Sequence, residues 1–190
     1  MSIILQSLGR TVVAGIVLLV IVLFAFGTGL THTHIIGMRW LHVMCGVMWI
    51  GLLWYFNFVQ IPSMPKIPDE QKPAISKVIA PAALFWFRWA ALATVVTGLL
   101  LAQANHYLMQ ALTLADPART IGIGMWLALV MAFNVWFIIW PNQKKALGIV
   151  TVEAAEKAKA ARLAMLTSRI NTLLSITMLY CMVAQQNGGL

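Results

Sequence analysis

Apolar residues fall into five long runs, at about 11–30, 39–60, 80–103, 120–140 and 166–185, with short polar stretches between them. Each run reaches the ~20 residues that a helix needs to cross ~30 Å of hydrocarbon. Helices satisfy every backbone donor and acceptor without water, so the pattern predicts an all-α fold, a polytopic membrane bundle of five transmembrane helices. The first run follows ten residues ending in Arg10 and looks superficially like a secretion signal. It is longer than a signal's apolar core and lacks a small-residue cleavage site, so it reads as a retained span.

The connecting stretches carry their own signals. Pro62, Pro65, Pro68 and Pro73 predict an ordered or extended loop between spans two and three. Pro141 predicts the end of span four. Residues 151–164 read as a water-exposed amphipathic helix, with Thr151 as N-cap, Glu153 and Glu156 early, and Glu153 facing Lys157 at i,i+4. This helix is expected to run into the fifth span. Trp40, Trp86 and Trp140 border spans two, three and four as interfacial anchors.

Composition agrees with one membrane domain over 1–190. Of 190 residues, 61% are hydrophobic and 9% charged, against ~25% charged in a soluble domain. The net charge of +8 does not indicate a nucleic-acid partner, because the basic residues lie in short loops between apolar runs. Arg10, Lys66, Lys72, Lys77, Lys144, Lys145, Lys157, Lys159 and Arg162 fall on one side, and Arg39 and Arg119 on the other. Nine against two places the N-terminus in the cytoplasm and the C-terminus outside. Cys45 and Cys181 lie within apolar runs and define no disulfide framework.

Polar residues inside the spans carry the candidate chemistry, since each is expensive in hydrocarbon. The second span, residues 39–60, holds His42, Cys45 and Asn57. All four histidines fall towards the outer side: His32 and His34 in a loop, His42 one turn into span two, His106 just past span three. His42 and His106 on facing spans could hold a haem iron, although His42 lies opposite about Leu99 and His106 sits ~10 Å further out. His32-x-His34 is a weak copper or zinc signal, and His32, His34 and His106 read equally as solvated interface residues. Cys45 reads as a packing residue.

The inner side collects Asn57, Arg88, Asn134, Arg169 and Asn171. A guanidinium ringed by amides suits a planar anion, the fork binding oxygens and the amides meeting ring N–H and C=O edges. The competing reading is that the amides glue helices together and cap Arg88. Arg169 also fits an ordinary interfacial anchor. No carboxylate lies inside a span, which disfavours a proton relay or cation transporter built on acids. P-loop, dinucleotide, C-x-x-C-H and metalloprotease motifs are absent from the sequence.

At WIGLLWYFNFVQIPSMP, FWFRWAALATVVTGLLL, MAFNVWFIIWPNQKKAL and SRINTLLSITMLY the chain resembles the membrane (N-terminal) domain of bacterial cytochrome-linked urate oxidases, or urate hydroxylases. The likeness covers roughly residues 38–180, and Trp140-Pro141-Asn142-Gln143-Lys144 is its most specific part. The motif positions carried over are Asn57, Arg88, Asn134, Trp136, Pro141, Asn142, Gln143, Ser168, Arg169 and Asn171. Thr177 stands where the pattern leads one to expect a proline, and Gln185-Gln186-Asn187 where it leads one to expect a histidine. The resemblance implies a redox-linked protein. A purine-like anion would sit among Arg88, Asn57, Asn134 and Asn171, and electrons would leave outward past a haem b near His42. With no C-x-x-C-H before Leu190, the acceptor would be a separate partner, a c-type cytochrome or another membrane subunit. A shorter likeness, through His42 and Trp49-Ile50-Gly51, is to small haem-binding and copper-resistance membrane proteins. Two alternatives therefore stand beside the oxidase reading: a non-catalytic accessory subunit, and a haem- or metal-handling protein using the outer histidines.

Overall fold

The computed structural model describes residues 2–27 and 33–188. His32, half of the candidate H-x-H pair, lies outside the described residues. Among those described, five helices are long and apolar enough to cross a membrane: α1 (Leu8–Phe26), α2 (His34–Lys66), α3 (Lys72–Ala104), α4 (Arg119–Ala146) and α5 (Ala154–Asn187). The all-α, five-span architecture predicted from the hydropathy pattern is therefore present. Contacts divide the chain into two compact units, Met1–His34 and Ile35–Leu190. The first holds α1, in which Thr11 Oγ1 donates to Ser7 O and Arg10 Nη1 to Ile3 O.

The second unit is built on α2 to α5. Its core joins Trp49, Leu53 and Phe56 of α2 to Leu84, Phe87 and Ala91 of α3, Met131 and Val135 of α4, and Met178 of α5. The inward stripe of α5 shows the logic of the packing. Ala160, Ala164, Ser168, Asn171, Ser175, Met178 and Cys181 are buried at spacings of three and four, whereas Leu173, Ile176 and Tyr180 are exposed. Small and polar side chains face the neighbouring helices and large apolar ones face lipid, because lipid is as apolar as leucine and only close packing and hydrogen bonds favour association. Gly124 of α4 shows how close that packing is: a Cβ there would stand 3.0 Å from Cys181 Cβ.

The prolines do not act as expected. Pro62 and Pro65 lie within the helical residues of α2, Pro73 opens α3, and only residues 67–71 separate the two helices. Pro141 likewise does not end span four, which continues through Trp140–Ala146. The reason is visible just upstream. Each of three π-helical turns, Tyr55–Gln60, Ile75–Ile79 and Asn134–Ile139, ends two residues before a proline, Pro62, Pro81 or Pro141. There Ile61 N–H reaches Phe56 O, Ala80 N–H reaches Ile75 O and Trp140 N–H reaches Val135 O, five residues back in each case. A proline ring strikes the carbonyl four residues before it, and the wider turn moves that carbonyl aside so that the helix continues.

The fifth span also starts differently from the sequence expectation. Glu153, not Thr151, occupies the N-cap, and the α-helix then runs unbroken from Ala154 to Ala184. Glu153 meets Lys157 through the backbone only, Lys157 N donating to Glu153 O. The ion pair is instead between Lys145 at the end of α4 and Glu156, so it ties two helices together rather than two turns of one.

Candidate functional site

A cavity of about 720 Å³ opens between α2, α3, α4 and α5 at the end where Arg39, Tyr107 and Gln185 lie. Its walls are apolar except for a few groups, His42 and Trp49 among them. This is within the ~300–1,000 Å³ of small-molecule and cofactor sites.

His42 is held from α3. Its Nδ1 lies 3.0 Å from Thr94 O and 3.2 Å from Thr97 Oγ1. The carbonyl can only accept, so Nδ1 carries the proton and donates to it, and Nε2 keeps its lone pair. Thr97 Oγ1 donates to Ala93 O at 2.6 Å. Gly98 makes the approach possible, because a Cβ there would come within 2.8 Å of His42 Cε1. The antiparallel alignment that set His42 opposite Leu99 is thus within one residue of the contact. One face of α2 continues the wall with Trp49, fully buried, whose Nε1 has no hydrogen-bond partner. In a site short of donors, an orphaned indole N–H is available to a ligand.

Other histidines are not gathered here. His106 is exposed in the turn after α3, at φ 61°, and does not line the cavity. His34 is exposed at the start of α2. Among the described residues no group of three or more His, Cys, Asp or Glu side chains lies close enough to hold a metal ion.

At the opposite end, the arginine and the amides are divided between separate tasks. Asn134 Nδ2 donates to Asn171 Oδ1 at 2.8 Å, and Asn171 Nδ2 donates to Met131 O at 3.0 Å, all buried between α4 and α5. Asn57 Nδ2 donates to Leu53 O and to Ser168 Oγ, each at 2.8 Å. Arg88 stacks on Trp140, Cζ 3.4 Å from the ring centroid, and its Nε and Nη1 are buried without a hydrogen-bond partner. Arg169 is exposed. The structure thus pairs Asn134 with Asn171 and joins Asn57 of α2 to Ser168 of α5, while Arg88 engages a ring instead of an amide. Trp140, expected as an interfacial anchor, is the platform for that guanidinium; Trp40 and Trp86 are exposed as anchors are.

Several residues escaped the sequence reading. Gln185 accepts from Ile121 N and donates to Pro117 O, both at 3.0 Å, which clamps the end of α5 to the start of α4. Trp54 Nε1 donates to Ser175 Oγ at 3.0 Å. Tyr107 lines the cavity mouth; burial pushes its phenol above the usual value while nearby Arg39 acts in the opposite sense. Trp49 was marked in the sequence only through its short likeness with His42, seven residues before it and hence on the same helix face, and nothing local distinguishes Gly98 from other glycines.

Fold and cavity together define a polytopic all-α membrane protein with a largely apolar, histidine-bearing cavity between its spans. Comparison with known families then sharpens the description. Residues 113–188 match the family described as urate oxidase N-terminal, so this part of the chain, comprising α4 and α5, is similar to that family. No curated protein and no solved structure matches the chain.

Proposed function

We propose that this chain is a redox-linked integral membrane protein, similar to the membrane part of a cytochrome-linked urate oxidase, that passes electrons to a separate partner such as a c-type cytochrome. It would sit in a bacterial inner membrane with the N-terminus in the cytoplasm and the His42 end outward, the orientation that the Lys and Arg distribution favours. The observation that carries the reading is the imidazole of His42, turned by Thr94 O so that Nε2 is free at a cavity of about 720 Å³.

Haem b is the cofactor this reading implies, and the residues present fit it on one side. His42 Nε2 would hold the iron of such a group, its other ring nitrogen held by a backbone carbonyl as metal-bound imidazoles usually are. Arg39 and Tyr107, at the mouth, would meet the carboxylates of such a group. A bound haem would supply one-electron transfer between a substrate and an external acceptor. The walls of the chamber are largely apolar, and His106 is not among the residues that line it.

The test is the visible spectrum of the full-length protein purified with its lipids. We expect a Soret band that disappears in His42→Ala while far-UV helicity is retained. An identical band in His42→Ala would end the assignment. One observation favours a second reading, that of a non-catalytic accessory subunit: Asn134 and Asn171 spend their amides on each other instead of opening towards a substrate. Urate-dependent reduction of an added cytochrome distinguishes the two, since the accessory reading requires none from this chain alone.

A further inference from the structure

The seam between α3 and α4 beside Arg88 offers hydrogen-bond donors and charge without a matching acceptor. Arg88 Cζ stands 3.4 Å from the Trp140 ring centroid, with Nε and Nη1 buried and unpartnered. Nη2 is not buried in this way, which leaves the guanidinium an open side. Trp136, one turn before Trp140 on the same face of α4, also buries an Nε1 that has no partner. Its ring meets that of Trp89, the neighbour of Arg88, at 5.4 Å. One turn after Trp140, Lys144 brings a second cation, Nζ 5.7 Å from the same ring. Among the described residues the ion pairs engage Lys72, Arg119 and Lys145, and no carboxylate reaches Arg88 or Lys144. Unpaired buried donors are costly, charged ones most of all, so the seam lacks an anion.

We propose that this seam is a binding site for an anionic phospholipid, its phosphate oxygens accepting from Arg88 Nη2 and Lys144 Nζ. The phosphate charge would also compensate the part of the guanidinium that is buried without a partner. Position selects a lipid. Neither cation lines the His42 cavity, and the flanking Trp86 and Trp89 of α3 and Phe133 and Phe137 of α4 are exposed, as a bed for acyl chains would be. Trp140 stands ~9 Å along α4 from its end at Ala146, within reach of the headgroup layer for long cationic side chains. A guanidinium fork matches phosphate geometry, and basic pockets between spans take lipid headgroups for this reason. The site depends neither on the haem nor on the oxidase reading.

Titration of the delipidated chain in dodecyl maltoside with palmitoyl-oleoyl phosphatidylglycerol, followed by native mass spectrometry, tests this. Saturable binding is expected, at least tenfold tighter than that of the phosphatidylcholine with the same acyl chains. Arg88→Gln should weaken it about tenfold, the loss of one charge-assisted bond. Lys144→Gln should weaken it about fivefold, and this variant decides the matter if Arg88→Gln fails to fold. Lys159→Gln, exposed on α5, should change nothing. Equal binding of the two lipids, undiminished binding in the folded variants, or an equal loss in Lys159→Gln overturns the proposal. Displacement of the lipid by millimolar inorganic phosphate would make this a site for a free anion and overturns the lipid assignment.

Discussion

The buried amide pair between α4 and α5 offers the sharpest test of how this bundle is held together. In Asn171→Leu, which keeps side-chain size, the bonds Asn134 Nδ2 to Asn171 Oδ1 and Asn171 Nδ2 to Met131 O are both lost. Interhelical bonds of this kind average about 0.6 kcal/mol and reach about 1.7 in membranes, so two bonds contribute on the order of 1–3 kcal/mol. Asn134 is then left with a buried, unpaired amide, which adds to the loss. Asn134→Leu removes one bond and orphans Asn171 Oδ1, for an expected loss of about 1–2 kcal/mol. The double variant leaves no orphan. Its loss should therefore fall short of the sum of the singles by about 0.6–1.7 kcal/mol. Reversible unfolding in mixed dodecyl maltoside and SDS micelles, followed by far-UV circular dichroism, measures all four proteins. If the losses add to within about 0.5 kcal/mol, the two amides are not coupled and the pairing assigned to them is refuted.

Three further outcomes follow from other contacts. Gly98→Ala places a Cβ 2.8 Å from His42 Cε1, so it should destabilise by about 1–3 kcal/mol and abolish any absorbance that depends on His42; an unchanged melting point and spectrum would contradict the packing. Gly124→Ala brings a Cβ to 3.0 Å from Cys181 Cβ; separation of α4 from α5 should speed maleimide labelling of Cys181, and equal labelling rates would show the helices are not in register. Tyr107 has a phenol pKa raised above its ordinary 10.0, chiefly by burial. The unfolded chain then loses its proton first, so this contribution to stability is complete below about pH 10 and declines as pH rises through the folded value. Melting temperature above pH 10 should fall more steeply for the wild type than for Tyr107→Phe, and parallel curves would refute the shift.

How much of this was legible beforehand differs by element. The spans were, because ~20 apolar residues have no stable place except across a bilayer or a buried core. His42 and its level against α3 were nearly so, since antiparallel helices joined by a short link can be aligned by the 1.5 Å rise alone. The proline-rich link was misread. Proline removes one donor and one allowed carbonyl position, but whether a helix stops or widens depends on whether neighbours hold the next turn. Here Phe56 and Val135, within two of the widened turns, are buried in the core, and Pro81 and Pro141 stand inside helices that continue past them.

The amino-acid sequence by itself determined that this is a multi-span helical membrane protein, with polar groups at two levels and a charge distribution that favours one orientation. These are consequences of transfer free energy, which is summed along the chain. Only the tertiary structure decided what the polar groups do: Asn134 turns to Asn171, Arg88 to Trp140, and His42 to Thr94 O. A hydrogen bond is directional and short, so its partner is set by rotation and approach of whole helices. Those are fixed by contacts such as Gly98 with His42 and Gly124 with Cys181, between residues far apart in the chain.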